Sequence, residues 1–357
     1  MKKHFALRFV TETLAMTAGI LLTFALFHHV LPICFSRQGT GTPAEPDPVA
    51  TAIPLSTPAP MIGETEETPE PRFHPPENAT AWQWKFAEHF TDEVTVTENS
   101  YTSPNLSLTI TTHNEDLGRG NVRWHVCDIY VSSTDNFRTA FAYDLFRPYV
   151  EQDILEMMSA HNAILAMSGD SCLRQDRSLV VRNGYVYSQY PTAADYLLLF
   201  ADGSMKTFVT AETDLSALLA GEGEQQVLQS WHFGPSLLDE AGRAKTDFTA
   251  AIDKYVMYEE THPRCGIGYY EPGHYCLLLA EGRLEHSVGV TVQELAQLFE
   301  REGCALAYNL DGGRTAVLGF NSARFSVQSN RATRLQNDIV YFTDVPPAAV
   351  GEEERHG

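Results

Sequence analysis

The stretch "GVTVQELAQLFEREGCALAYNLDGG" (residues 289–313) contains the pattern on which the fold prediction rests. Thr291 and Glu294 form a capping box, and Gly303 is a typical helix stop, so the spacing predicts a helix between them. Its apolar stripe consists of Leu295, Leu298 and Phe299. The run "CALAY" then predicts a short buried strand, and "NLDGG" places polar residues and two glycines at the end of that strand.

Asn309 and Asp311 lie two residues apart, so they are expected to project from the same face of the strand. Turn chemistry does not require a polar residue two positions inside an apolar strand. Buried polar groups must be paired, and a ligand is one way to pair them. The alternative is an internal hydrogen-bond network that closes the loop with Gly312 and Gly313.

The same layout occurs earlier in the chain. "EQDILEMMSAHN" has the pattern of a helix, "AILAM" that of a buried strand, and "SGDS" (residues 168–171) follows. Gly169 beside Asp170 would let the backbone approach a ligand closely, although an ordinary turn with a local hydrogen bond explains the pair equally well. The repeated layout predicts that Asp170 and Asp311 are displayed at the ends of two core strands, where α/β folds commonly build sites.

The turns indicate many strands. "RNGY" (182–185), "ADGS" (201–204) and "AEGR" (280–283) each separate two β-rich runs, as hairpins do. Hydrophobic residues make up 43% of the chain, which is enough for a core. We therefore predict a single α+β domain over residues 81–344, with a mixed β-sheet, several hairpins and a few packed helices.

The first 35 residues differ from the rest. Two lysines precede about 20 mostly apolar residues, which is long enough for a transmembrane helix. We predict an uncleaved signal anchor over residues 1–35, with its amino end in the cytoplasm and the domain outside the cell; a cleaved signal peptide and a buried core helix are the alternatives. Residues 36–80 are rich in Pro, Thr, Ala and Glu and are predicted to be a disordered linker, as is the tail 345–357.

The net charge of −21 argues against nucleic acid as a partner, because a basic surface would be needed to neutralise phosphates. The six cysteines have no metal-binding spacing, and no disulfide is assigned. Motifs for serine hydrolases, zinc proteases and nucleotide binding are missing. Any chemistry therefore depends on carboxylates, an amide and an arginine.

Arg264 in "THPRCGIGYY" is the natural anion contact, since its planar guanidinium suits a phosphate or a carboxylate. The alternative is a structural salt bridge to Asp170 or Asp311. His161, His232 and His262 form no metal pattern and are expected to be packed or surface residues.

A set of motifs, taken in order along the chain, resembles the phosphodiester glycosidase family. The motifs are "AILAMSGDS", "LVVRNGYVY", "FGPSLL", "HPRCGIGYY", "GVTVQELAQLFEREGCALAYNLDGG" and "NDIVYF". This family includes the enzyme that uncovers mannose 6-phosphate tags and many bacterial proteins labelled exopolysaccharide-associated. The resemblance covers most of residues 160–343. It implies a mixed α/β domain that hydrolyses a sugar 1-phosphate diester, freeing the sugar and leaving a phosphomonoester.

The resemblance also implies site residues. It places the family's acidic turn at Ser168, Gly169, Asp170 and Ser171, its Pro-Arg motif at Arg264, and its Asn-x-Asp-Gly-Gly motif at Asn309, Asp311, Gly312 and Gly313. Two departures are present. The family turn usually reads Asn-Gly-Asp followed by an aromatic residue, whereas this chain has Ser168, Gly169, Asp170 and Ser171. A third Gly and two hydroxyl residues commonly follow the family's two glycines, whereas this chain has Arg314, Thr315 and Ala316.

On this basis one of Asp170 and Asp311 activates water or stabilises the anomeric centre, and Arg264 holds the phosphate. Asn309 and the Gly312 and Gly313 amides would orient substrate oxygens, with Arg314 and Thr315 beside them. The predicted partner is a phosphorylated carbohydrate or cell-envelope glycan. No organic cofactor is predicted, although two carboxylates beside a phosphate could hold calcium or magnesium. A non-catalytic glycan-binding module and a factor in polymer assembly are the alternatives.

Overall fold

The computed structural model describes residues 73–171, 178–190, 195–209, 213–248, 257–329 and 334–345. The predicted signal anchor (1–35), most of the predicted linker and nearly all of the tail lie outside these residues. Within the described part of the chain, no helix is both long enough and apolar enough to cross a membrane.

The chain forms many short strands and a few helices. The strands are β1 (Thr95–Val96), β2 (Ser100–Thr102), β3 (Leu106–Asp116), β4 (Asn121–Val131), β5 (Phe137–Phe141), β6 (Ala163–Ser168), β7 (Leu179–Arg182), β8 (Tyr185–Gln189), β9 (Asp195–Phe200), β10 (Met205–Val209), β11 (Val227–Trp231), β12 (Arg264–Glu271), β13 (His274–Ala280), β14 (Leu306–Leu310), β15 (Leu318–Phe320), β16 (Ala323–Arg324) and β17 (Asp338–Thr343). The α-helices are α1 (Ala81–Lys85), α2 (Ile154–Ala160), α3 (Leu215–Leu219) and α4 (Val292–Arg301), and short 3-10 turns occupy Thr134–Asn136, Ala142–Asp144 and Gly223–Gln225.

Two larger sheets build the domain. The seven-stranded sheet has the order β1-β2-β3-β4-β13-β12-β14, and the five-stranded sheet has the order β16-β15-β6-β17-β5. A three-stranded sheet (β10-β9-β11) and the β7-β8 hairpin complete the described strands. The predicted α+β class is confirmed. A mixed sheet was expected, but every pairing between the described strands is antiparallel.

The main core lies between the two larger sheets. Leu165 and Met167 of β6 pack in one apolar cluster with Ile267 of β12 and Leu310 of β14. Because the side chains of a strand alternate between its faces, the outer face of each sheet needs its own cover. Helix α4 covers the seven-stranded sheet, and α2 covers the five-stranded sheet.

Helix α4 forms as the sequence predicts. The Thr291 hydroxyl accepts the Glu294 amide hydrogen, and the Glu294 carboxylate accepts the Thr291 amide hydrogen. The predicted apolar stripe is buried against the sheet, and Gly303 ends the helix with a φ of +75°. The capping box and the stripe are both local signals, which is why they could be predicted.

Two of the three predicted hairpins are confirmed, at the β7–β8 and β9–β10 turns. The prediction for "AEGR" was wrong. Strand β13 ends at Ala280, and the next element along the chain is helix α4, so no returning strand follows the turn. The hairpin in this part of the chain is β12–β13, which turns at Pro272 and Gly273.

Candidate active site

The end of β6 is held against the start of β17. The Gly169 amide donates to the Asp338 carbonyl, and the Asp170 amide donates to Asp338 Oδ1 at 2.8 Å. A Cβ atom on Gly169 would lie 2.0 Å from the same Oδ1 atom. Glycine is therefore required here because the Asp338 side chain occupies the space of a side chain at position 169.

The Asp170 carboxylate is buried, with 1% of its side chain exposed. Its Oδ2 atom accepts the His232 amide hydrogen at 2.8 Å and lies 2.8 Å from Nδ1 of the His232 ring. The Arg182 guanidinium lies 3.9 Å from Oδ2. Within the described residues, the other oxygen of Asp170, Oδ1, has no hydrogen-bond partner. A buried carboxylate thus keeps one oxygen available for a ligand or a water.

Burial raises the pKa of the Asp170 carboxyl, but the His232 ring and the Arg182 guanidinium lower it more, so the pKa lies below its ordinary value. This carboxylate is therefore ionised at neutral pH even though it is shielded from solvent. A fixed negative charge in a site of low polarity stabilises a developing positive charge more strongly than it would in water.

Arg182 is the buried cation of this cluster. Its Nε atom donates to Asp338 Oδ2 at 2.8 Å, and one terminal nitrogen donates to the carbonyls of Val181 and Ser230. Its Cζ atom lies 5.5 Å from the centre of the Phe141 ring. Burial raises the pKa of Asp338 to about 6, and repulsion from Asp170 adds to this rise while Arg182 opposes it.

The Asp311 turn follows strand β14 and the Asp170 turn follows strand β6, as the repeated layout predicts, and the two turns touch. The Asp311 amide donates to the Gly169 carbonyl at 3.1 Å. The Asp311 carboxylate is paired with Arg334 at 3.0 Å, and 14% of its side chain is exposed. Two acidic turns from distant parts of the sequence therefore meet where strands β6 and β14 end. The Asp170 side chain is sealed from solvent, and the Asp311 side chain is partly exposed.

Asn309 is buried on β14 and is held by the segment that also supports Asp170. Its amide donates to the Pro235 carbonyl, and its side-chain nitrogen donates to the Gly234 carbonyl at 2.6 Å. In the described part of the chain, its Oδ1 atom has no partner. The segment 232–236 thus positions two side chains, Asp170 and Asn309, that each retain an unpaired buried oxygen.

The glycines and hydroxyls of the Asp311 turn are engaged within the protein. A Cβ atom on Gly312 would lie 2.7 Å from the Pro263 carbonyl oxygen, and the Gly313 amide donates to that oxygen at 2.7 Å. The Thr315 hydroxyl donates to the Gly312 carbonyl. Arg314 is exposed. This turn is held close to β12, and its charged Arg314 side chain reaches solvent.

Ser168, before the Asp170 turn, forms hydrogen bonds with the segment that follows the Asp311 turn. Its hydroxyl donates to the Thr315 carbonyl and accepts the Val317 amide hydrogen at 3.1 Å. Ser171 is also buried. Ser168 is therefore part of the support for the two acidic turns, and a direct contact with substrate stays a prediction for both serines.

Arg264 is buried at the start of β12 and donates to three backbone carbonyls, those of Val290, Met257 and Glu260. Burial and the neighbouring Arg283 lower the pKa of Arg264 to about 10. These contacts tie the segment before β12 to the segment before α4. Anion binding by Arg264 stays a prediction, because these hydrogen bonds engage its guanidinium within the protein.

A second arginine and a histidine lie beside the Gly312–Gly313 turn. Arg283 contacts His262 Nδ1 at 3.0 Å, and its guanidinium lies 3.5 Å from where a Cβ atom of Gly313 would be. Burial, Arg283 and Arg264 lower the pKa of His262. Together with Arg334, these groups make the Asp311 side of the site rich in hydrogen-bond donors.

The described residues contain no group of three or more His, Cys, Asp or Glu side chains arranged to hold a metal ion. Cys127, Cys265, Cys276 and Cys304 are buried free thiols. A surface pocket of about 380 Å³ is lined by residues such as Arg138, and none of the predicted site residues contributes to it. The candidate site is thus defined by side-chain chemistry and not by the size of a cavity.

Sequence reasoning missed three side chains of the site. Arg182 precedes the "NG" turn, where an arginine is usually solvated. His232 was expected to be a packed or surface histidine, and Asp338 is the second residue of the motif "NDIVYF". A signal was present in each case, because each lies within or beside a motif that carries the family resemblance. Their pairing could not be predicted, since Arg182 and Asp338 are 156 positions apart.

The comparisons agree with this architecture. A family model described as phosphodiester glycosidase matches residues 161–342, just over half of the chain. The chain therefore belongs to the phosphodiester glycosidase family. The matched region begins just before β6 and ends within β17, so it contains every side chain of the candidate site described above.

Two similar proteins illustrate the range of relatives. The SPbeta prophage-derived uncharacterized protein YomE of Bacillus subtilis (strain 168) is 29% identical over 177 residues, covering 47% of this chain and 26% of that protein. The chain thus spans about a quarter of the length of this curated relative. The catalytic domain of zebrafish N-acetylglucosamine-1-phosphodiester alpha-N-acetylglucosaminidase, auto-inhibited by its pro-peptide, has a TM-score of 0.55 at 16% identity. The alignment covers 71% of this chain and 88% of the zebrafish domain, and it establishes likeness of fold.

Proposed function

We propose that this protein is a hydrolase that cleaves a sugar 1-phosphate diester between the anomeric carbon and the phosphate oxygen. The observation that carries the proposal is the Asp170 carboxylate. It is buried, its pKa is lowered, and one of its oxygens has no partner among the described residues. A structural carboxylate is expected to satisfy both oxygens within the protein, so this arrangement favours a catalytic group.

Breaking the bond at the anomeric carbon develops positive charge on the sugar ring. We assign the stabilisation of this charge to Asp170, because its negative charge is fixed by His232 and Arg182 and needs no reorganisation during the reaction. The phosphomonoester leaves as an anion and needs little protonation. A water molecule supplies the oxygen that becomes the hydroxyl on the anomeric carbon.

Asp311 is the better candidate to take a proton from that water. Its side chain is partly exposed, and the turn that carries it contacts the Asp170 turn. A general base must exchange protons with solvent between turnovers, which a fully sealed carboxylate does less easily. Arg334 forms an ion pair with this carboxylate and holds it in place before substrate binds.

The phosphate is assigned to the donor-rich side of the site. Arg283, Arg314 and Arg334 lie on or beside the Asp311 turn, and Arg264 adds positive charge from below. Asn309, whose Oδ1 atom is unpaired, would accept a hydrogen bond from a sugar hydroxyl. The change from the usual family sequence at Arg314 then implies a different preference for the group on the far side of the phosphate.

The wider setting is also a proposal. Residues 1–35 would anchor the chain in the cell membrane and the linker would carry the domain outside the cell, where cell-surface glycan or exopolysaccharide is the substrate. A protease added to intact cells tests this, because it should remove a tag placed at the carboxyl end and spare one at the amino end. Protection of the carboxyl-terminal tag would contradict the outside location.

The activity is tested with the full chain in detergent and a panel of sugar 1-phosphate diesters that includes UDP-N-acetylglucosamine and UDP-glucose. Free sugar and phosphomonoester should appear in equal amounts, measured by ¹H and ³¹P nuclear magnetic resonance. The first anomer released identifies whether water attacks directly or displaces a covalent intermediate. The hydrolase proposal fails if sugars bind without release of product. Product formed only with an added acceptor would instead indicate a role in polymer assembly.

A further inference from the structure

An exposed group of aromatic side chains lies directly beside the candidate site. We term Phe146, Tyr185 and Tyr187 the aromatic patch: Phe146 and Tyr187 pack against the buried ring of Phe141, and Tyr185 packs against Tyr187. The ring centre of Tyr187 lies 5.0 Å from the ring centre of Phe141, 5.3 Å from that of Phe146 and 4.8 Å from that of Tyr185. The side chain of Tyr185 is 66% exposed, so its large apolar surface faces water in the folded chain.

The aromatic patch is continuous with the acidic cluster through two strand pairings. Phe141 of β5 is the direct partner of Asp338 of β17, and Tyr185 of β8 is the direct partner of Arg182 of β7. Arg182 also lies against the Phe141 ring. Arg182 and Asp338, two of the residues around Asp170, therefore each pair with an aromatic residue in or directly beneath the patch.

The loop that carries Phe146 has an unfavourable conformation. Tyr143, Asp144 and Tyr149 have φ values of 53°, 57° and 63°, which lie in the left-handed region that residues other than glycine rarely adopt. Tyr143 and Tyr149 are also exposed. Backbone strain combined with exposed aromatic residues lowers stability, and such combinations occur where a surface binds a ligand.

From this geometry we infer that the aromatic patch is a binding subsite for neutral sugar units that continue from the sugar at the scissile bond. The inference rests on the proposed function and makes its substrate class an oligosaccharide or polysaccharide. Apolar faces of sugar rings stack on aromatic rings, and tyrosine adds a hydroxyl at the ring edge. Among the described residues, the Tyr185 and Tyr187 hydroxyls form no hydrogen bond with the protein, so they can bind sugar hydroxyls.

Charge and position favour a glycan over other occupants. The net charge of −21 disfavours an anionic lipid surface, which would repel the domain. A glycan that extends from the scissile sugar must continue over the neighbouring surface, and the patch lies next to Arg182 through Tyr185 and Phe141. A self-association surface has no need to adjoin the acidic cluster, and it is retained as an outcome of the test.

The test measures binding separately from hydrolysis. The full chain in detergent is run in native gels that contain hydroxyethylcellulose, dextran, yeast mannan or xylan, and the apparent Kd is obtained from the retardation. The variants are Tyr185→Ala with Tyr187→Ala, and Tyr185→Phe with Tyr187→Phe. Trp84→Ala is the matched control, because Trp84 is an aromatic residue with 58% exposure on α1 and outside the patch.

At least one polysaccharide should retard the wild type and the Trp84→Ala variant equally. The double alanine variant should raise the apparent Kd at least tenfold, and the double phenylalanine variant should recover most of the binding. Circular dichroism and thermal unfolding check that each variant is folded. Absence of retardation by all four polymers, equal retardation of the double alanine variant, or a changed sedimentation coefficient without a change in polymer binding would each overturn the inference.

An Asp170→Asn variant separates this inference from the proposed function. It should bind polymer as the wild type does while it loses hydrolysis of the diesters. Patch-dependent binding by a wild-type chain that hydrolyses no diester would refute the proposed function and leave the subsite intact. Hydrolysis of a diester without patch-dependent polymer binding would refute the subsite and leave the proposed function intact.

Discussion

Asp170 and Asp311 occupy equivalent places in two helix–strand–turn segments, yet their surroundings differ. Asp170 is sealed, with 1% of its side chain exposed, and is held by His232 and Arg182. Asp311 is 14% exposed and is paired with Arg334, itself partly exposed. The same sequence layout thus produces one carboxylate with a fixed charge and another in contact with solvent. The partners, and not the turn itself, determine the chemistry of each acid.

The largest expected effect separates the two acids by activity. Asp170→Asn should lower kcat at least about a thousandfold, because it removes the fixed charge at the anomeric centre. Asp311→Asn should lower kcat by about a hundredfold, the low end of the range for a lost general base, because water can partly replace it. Steady-state kinetics on a diester hydrolysed by the wild type measures both. Equal losses, or a larger loss for Asp311→Asn, would contradict the division of roles.

The next prediction concerns pH and the support of Asp170. The pKa of Asp338 is raised from 3.8 to about 6 in the folded chain, so the folded state holds this proton more tightly than the unfolded state does. The stabilising contribution of that proton is complete below about pH 4 and is lost as the pH rises through 6. The lowered pKa of Asp170 has the opposite sign, because its contribution is lost as the pH falls.

Asp338→Asn removes this titration. The stability of the wild type relative to the variant should therefore fall by about 3 kcal/mol between pH 3 and pH 7. Urea unfolding at several pH values measures the difference. Asp239→Asn is the control, and it should produce a trend of the opposite sign, because hydrogen bonds from Arg243 and Ala241 lower the pKa of Asp239. A difference between wild type and Asp338→Asn that stays constant, or grows as the pH rises, would contradict the raised pKa.

Much of the fold could be predicted because its signals are local. The Thr291 capping box, the apolar stripe of α4 and the "NG" turn at Asn183 depend on neighbouring residues alone. The display of Asp170 and Asp311 at the ends of two core strands could also be predicted, because each turn follows an apolar run. The "AEGR" prediction failed because a turn sequence does not specify whether the next segment forms a strand.

The support of the site could not be predicted in the same way. Arg182 looks like a solvated residue beside a turn, and only the folded chain brings Asp338 and Ser230 to it. His232 likewise gains its role from Asp170, which is 62 positions earlier. Buried polar networks depend on long-range contacts, and a single sequence contains no periodicity that specifies them.

A smaller effect is expected from the residue that joins the two turns. Ser168→Ala removes a hydroxyl that donates to the Thr315 carbonyl and accepts the Val317 amide hydrogen. The buried Val317 amide then loses its partner, which should lower the free energy of unfolding by about 2 kcal/mol. Ser216→Ala, on the exposed side of α3, is the control and should change it by less than about 0.5 kcal/mol. Similar losses for the two variants would mean that Ser168 does not join the turns.

The smallest expected effect tests whether the Asp311 pair is as weak as its exposure implies. Arg334→Gln removes an ion pair whose partners are 18% and 14% exposed, so the free energy of unfolding should fall by about 1 kcal/mol at low salt. In 1 M salt the loss should shrink, because solvent ions screen a partly open pair. Arg301→Gln removes the pair with Glu115, in which both partners are about half exposed, and should cost less at low salt. A large, salt-insensitive loss of the free energy of unfolding for Arg334→Gln would mean that Asp311 is as sealed from solvent as Asp170. The separate roles of the two acids depend on this difference in exposure and would then have no support.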